Sequence, residues 1–137
     1  METPKTGFRE LEHTADWELE VWAPDLAGLL EQSARGMNTL LGMRLAEGPR
    51  QSRALEIQAG DPESLLVDFL SELLYLGEKE GLGFDSFELR LVGDRLHANL
   101  SGAVIVSTSK EIKAVTYHRL QIRETEAGLN VNIVFDV

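Results

Sequence analysis

The sequence predicts an α+β domain in which two helices pack on a mainly antiparallel β-sheet, in the order β-α-β-α-β-β-β-β. Three observations predict it. Residues Trp17-Glu18-Leu19-Glu20-Val21-Trp22 alternate apolar and polar side chains, the period of a half-buried strand. Two later segments carry apolar residues at helical spacing behind an aspartate, the pattern of a capped amphipathic helix. The second half is a succession of short alternating runs separated by glycine turns, as an antiparallel sheet requires.

Each element has its own local reason. Pro24 and Asp25 open the first helix, and the Asp25 carboxylate can accept one of the unpaired N–H groups of its first turn. Leu26, Leu29, Leu30, Met37, Leu40 and Leu41 form its apolar stripe, and the stretch from Gly42 to Pro49 ends it. Ala54 to Ala59 reads as a short strand. Asp61 caps the second helix, with Pro62 at the first helical position, where a missing N–H costs nothing. Leu65, Leu66, Phe69, Leu70, Leu73 and Leu74 give it a broad apolar face, and Gly81 and Gly83 stop it. Phe87, Leu89 and Leu91 share one face of the next strand. Gly93-Asp94 makes a hairpin-like turn, and Leu96, Ala98 and Leu100 return. Ser107 to Lys110 is small and polar and reads as a loop. A long strand is expected from about Glu111 to Arg123, placing Lys113 and Tyr117 on one face and Ile112, His118 and Leu120 on the other. Ala127-Gly128 turns the chain into a final strand, Leu129 to Val137.

Composition narrows the function. At 137 residues the chain is expected to form a single domain spanning 1–137. The absence of cysteine excludes disulfides, zinc–thiolate sites and cysteine nucleophiles. No apolar run approaches a membrane span, and Met1-Glu2-Thr3-Pro4-Lys5 lacks a signal-peptide core, so a cytoplasmic protein with no membrane association is expected. Asp plus Glu number 23 against 13 Lys plus Arg, a net charge of −10. Such a surface repels phosphate backbones, so direct high-affinity nucleic-acid binding is not expected. It suits a metal cation or a basic protein surface; solubility alone also accounts for it.

Familiar catalytic motifs are missing. Gly81-Leu82-Gly83 lacks the third glycine and the Lys-Ser/Thr of a phosphate loop. Neither a zinc-protease helix motif nor a nucleophile elbow occurs. His13, His97 and His118 are too scattered to define a metal site by spacing. What stands out is acidic. Asp16 follows His13-Thr14-Ala15, where Asp and Thr can equally build a local turn. Glu111 follows the polar loop. In the last run the alternation carries through to Asp136 and Val137, which sets the terminal carboxylate one residue from the Asp136 side chain. Two anions held so closely repel unless a cation intervenes, although solvation at a strand end explains them as well. An oxygen-only donor set suits Ca²⁺, Mg²⁺ or Mn²⁺ rather than zinc. Spacing does not show that positions 16, 111 and 136 converge.

Four segments carry a resemblance. His13-Thr14-Ala15-Asp16, Leu65-Leu66-Val67-Asp68-Phe69-Leu70-Ser71-Glu72-Leu73-Leu74, Glu111-Ile112-Lys113-Ala114-Val115-Thr116-Tyr117-His118 and Phe135-Asp136-Val137 resemble the signatures of the archease family, in that family's order. The similarity spans almost the whole chain. It implies a small accessory protein of the RtcB-type RNA ligase, which joins RNA ends carrying a 2′,3′-cyclic phosphate or 3′-phosphate to a 5′-hydroxyl in tRNA splicing and RNA repair. The accessory protein promotes GTP-dependent guanylylation of the ligase and supports multiple turnover, without being an enzyme itself. The resemblance further implies a divalent metal, Ca²⁺ foremost, held by Asp16, Asp136 and Val137, with Glu111 as a further member.

The chain also departs from the family pattern. Trp17-Glu18-Leu19-Glu20 stands where a small or aliphatic run is common, and Ser101 to Lys110 is shorter and less acidic than the usual loop. Two other functions use the same residues: a metal-dependent phosphohydrolase built on Asp16, Glu111 and Asp136, and a chaperone-like binding module. The first lacks a recognisable base or nucleophile motif. The second would need a large exposed apolar patch.

Overall fold

A computed structural model describes residues 5–11 and 17–137. The elements run β1 (Gly7–Leu11), β2 (Trp17–Ala23), α1 (Leu26–Leu41), β3 (Arg44–Leu45), β4 (Gln51–Gln58), α2 (Pro62–Glu80), β5 (Leu82–Val92), β6 (Arg95–Ser107), β7 (Ala114–Val115), β8 (Arg123–Thr125) and β9 (Gly128–Asp136). All strand pairs are antiparallel, and the α+β class stands. The strands divide into two sheets rather than one. The first runs β1-β2-β9, with β7 and β8 both on β9. The second is centred on β6, which pairs with β3, β4 and β5.

Both helices begin as their sequences require. The Gly28 amide donates to Asp25 Oδ1 at 2.8 Å, and the Ser64 amide donates to Asp61 Oδ1 at 2.8 Å. Each ends on a left-handed glycine, Gly42 at φ 60° and Gly81 at φ 69°. The fully buried side chains Leu29, Leu30, Leu66, Phe69 and Leu70 meet Leu19, Ile133 and Phe135 of the first sheet and Leu96 and Leu100 of the second in one core. Helix α1 also covers part of the β5 edge. Asn38 Nδ2 donates to the Phe84 carbonyl at 2.8 Å and Arg35 Nη1 to the Asp85 carbonyl at 3.2 Å, which occupies acceptors a second chain could otherwise pair with.

Three expectations need correction. Strands β1 and β3 are additional to the predicted order. Strand β6 runs through Ser107, so the polar loop starts one residue later. The long strand from Glu111 to Arg123 does not form. Only Ala114–Val115 and Arg123–Thr125 pair with β9, at its two ends. Between them the chain leaves the sheet through Arg119 at φ 51°. Thr116 Oγ1 donates to the Val134 carbonyl at 2.9 Å, and Leu120 and Ile122 pack against the core. The Ile122 amide donates to Glu63 Oε2 at 2.9 Å in the first turn of α2. Packing Leu120 and Ile122 against the core offsets the strand pairing that this stretch gives up. The expected pairing of faces therefore lapses: Ile112 is buried while His118 is exposed.

Candidate functional site

Three strands meet where β9 ends. Phe135, fully buried, is paired with Trp17 of β2 on one side and Val115 of β7 on the other. The next residue, Asp136, pairs with Ala114, and its carbonyl accepts the Lys113 amide at 2.8 Å. The backbone of Asp136 is thus held while its side chain is exposed. Val137 is half-buried and packs against the core, so the residue after Asp136 is held too. Asp16 and the rest of its His13-Thr14-Ala15-Asp16 segment lie outside the described residues. Trp17, which follows Asp16 in sequence, is opposite Phe135, which precedes Asp136.

Glu111 is exposed in the irregular segment leading into β7. Among the described residues no group of three His, Asp or Glu side chains is placed to hold a metal ion. Asp136 and Glu111 thus form no such group with any described histidine or carboxylate. His97 belongs to β6 in the second sheet, and His118 is exposed in the segment between β7 and β8.

Sequence reasoning did not anticipate two features. Lys110 Nζ lies 4.2 Å from the centroid of the Trp17 ring, a cation–π contact that keeps a positive charge beside the end of β2. The segment around it also closes one side of a cavity of about 510 Å³, shared with the C-terminal halves of both helices and the start of β5. Lys110, Glu111 and Lys113 line it together with apolar side chains.

Two further ion pairs lie at the second sheet. Arg50 Nη2 donates to Asp85 Oδ1 at 2.6 Å, and this hydrogen bond holds the Asp85 carboxyl below the usual carboxylate range. Arg95 bonds Glu56 and lowers its carboxyl in the same way. The Glu56–Arg95 pair ties β4 to its neighbour β6, the Arg50–Asp85 pair joins the residue before β4 to β5 across β6, and both stand apart from the Asp136 end.

Fold and site together define a small acidic α+β protein with an exposed carboxylate at the end of its last strand. The family model described as the archease protein family (MTH1598/TM1083) matches residues 8–137, and the chain belongs to that family. Protein archease of Thermococcus gammatolerans is 35% identical over 130 residues, covering 88% of this chain and 91% of that one. Protein archease of Methanosarcina mazei is 32% identical over 140 residues, covering 95% of each. The solution structure of Methanobacterium thermoautotrophicum protein 1598 superimposes with a TM-score of 0.75 at 26% identity, covering 96% of this chain and 99% of that one. A Thermotoga maritima archease, described as a possible chaperone, gives a TM-score of 0.71 at 23% identity, over 100% of this chain and 98% of that chain, and shows the shared fold.

Proposed function

We propose that this chain is a metal-binding accessory protein that activates an RtcB-type RNA ligase, promoting its GTP-dependent guanylylation and its multiple turnover in tRNA splicing and RNA repair. Family membership across residues 8–137 is the observation that carries this reading. The strand-end geometry supports the metal part of it. Asp136 offers an exposed carboxylate on a backbone held by β7, and the half-buried Val137 sets further oxygens beside it. Among the described residues this end offers oxygen donors, which fits a hard divalent ion, Ca²⁺, Mg²⁺ or Mn²⁺. In this reading Asp16 completes the set, with Glu111 as a further member.

Such an ion, when bound, would offset negative charge on phosphate oxygens during nucleotidyl transfer. The contribution of the chain itself is placement. The Lys113 amide and the Ala114 pairing orient the Asp136 main chain. The Lys110 ammonium, held on Trp17, adds positive potential at the same end. The ligase supplies the nucleophile, so no general base is required here.

The test is a guanylylation assay with the cognate ligase, GTP and Mn²⁺. Catalytic amounts of this protein should accelerate guanylylation and allow repeated ligation cycles, and Asp136→Ala should abolish both. A ligase that turns over equally well without the protein would end the proposal.

A further inference from the structure

We propose that the cavity between the C-terminal halves of α1 and α2 receives an apolar side chain of the partner ligase, carried on a segment bearing charges of both signs. This rests on the accessory reading above and assigns it a docking pocket.

Three observations carry the inference. The first is size and character. At about 510 Å³ the cavity is large enough for a bulky side chain and its flanks, and Met37, Met43, Leu73, Phe84 and Ile112 give it an apolar lining. The two methionines make the lining adaptable.

The second is Gly77. Glycine is the least favourable residue inside a helix after proline, so a glycine in the last turn of α2, ahead of the Gly81 that ends the helix, calls for a reason. Steric need does not supply one. A Cβ added there would lie 3.5 Å from Ile105 Cδ1 and 3.7 Å from the Leu82 carbonyl oxygen, ordinary contact distances. Gly81 differs, because its φ of 69° ends the helix. Gly83 differs too, because a Cβ there would fall 2.4 Å from Met43 Sδ. Gly77 lines the cavity, and what its missing side chain supplies is room.

The third is charge. Lys110 and Lys113 line the cavity, and so do Glu78 and Glu111. Among the described residues none of the four is in a salt bridge. A fatty acid or other amphipathic anion would satisfy the lysines and meet the two carboxylates. A polypeptide segment with an apolar anchor between residues of opposite charge complements both. The position agrees, because Lys113 lines the cavity and also donates its amide to the Asp136 carbonyl at the strand end. A partner covering that end would reach the Lys113 side of the cavity.

The test uses the full chain and its cognate ligase. Gly77→Leu fills the cavity from α2, Leu74→Trp fills it from the neighbouring position, and Gly77→Ala is the control that fits. Each is read by thermal unfolding, by Mn²⁺ titration and by affinity for the ligase. The fillers should weaken ligase binding by at least about tenfold, as loss of a central anchor does. Metal affinity should be unchanged, and the control should bind like the parent. Fillers that fold and bind the ligase normally would overturn the pocket. So would saturable decanoate binding in the cavity that leaves ligase affinity unaltered, because the cavity would then be a ligand site and no docking site. If the unaltered protein fails to bind or stimulate the ligase at all, the accessory reading falls, and the docking inference falls with it.

Discussion

At Asp136 the stability of the fold and the metal role proposed above can be separated. Its backbone is paired and its carboxylate points to solvent, so Asp136→Asn keeps every main-chain bond and removes only charge. Metal affinity should fall by about tenfold or more, in line with losses around metal sites, while the melting temperature stays within a degree or two of the parent. Calorimetric titration and a thermal melt check both halves. Asp85 gives the opposite case, a charge with a stability role and no site. Its carboxyl is lowered by the Arg50 hydrogen bond, so the folded state binds its proton less readily than the unfolded chain. The stabilisation is present above the unfolded carboxylate pKa and is lost as pH falls through the lower folded value. Asp85→Asn should therefore lower the melting temperature slightly at neutral pH and have no effect in strong acid. Both partners are about half exposed, which keeps the effect small.

At the scale of elements, the helices were readable because their determinants are local. An aspartate cap, a proline at the first position and a leucine stripe all lie within a few turns of one another, and Asp25 and Asp61 both cap as expected. Asp61→Ala removes the acceptor for the Ser64 amide and should cost about 1 kcal/mol of stability. Phe69→Ala, at a fully buried position of α2, should cost about 3–5 kcal/mol. Denaturant titrations distinguish the two. Strand β6 carries a less obvious constraint. A Cβ on Gly102 would sit 1.8 Å from the Gly83 carbonyl oxygen. Backbone cannot yield as a side chain does, so Gly102→Ala should part β5 from β6 and cost about 3 kcal/mol. The segment from Glu111 to Arg123 was misread for the complementary reason. Its residues favour a strand individually, yet Leu120 and Ile122 find burial against the core, with Ile122 tied to Glu63 of α2 some 59 residues away in sequence. No local pattern encodes such a partner.

For the whole molecule, the core is continuous across both sheets and both helices and contains no metal-dependent element among the described residues. Chelation should therefore leave the melting temperature nearly unchanged while removing the proposed stimulation of the ligase, and the two measurements together separate a functional ion from a structural one. The net charge of −10 belongs to this scale as well. Direct titration with RNA at physiological salt should give no high-affinity binding, so any effect on RNA joining has to pass through a protein partner.

The sequence by itself determined the α+β class, both helices with their caps, the terminal strand and the family resemblance. All of these rest on short-range periodicity or on contiguous motifs, which folding does not rearrange. The tertiary structure alone decided that the strands form two sheets, that the Glu111 to Arg123 segment leaves its sheet for α2, and that Lys110 stacks on Trp17 at the Asp136 end. It alone revealed the cavity beside that end. The physical reason is common to these features. Each depends on free energy gained between residues distant in sequence, through burial, ring contact or strand pairing, and a linear pattern records only which side chains are available for it.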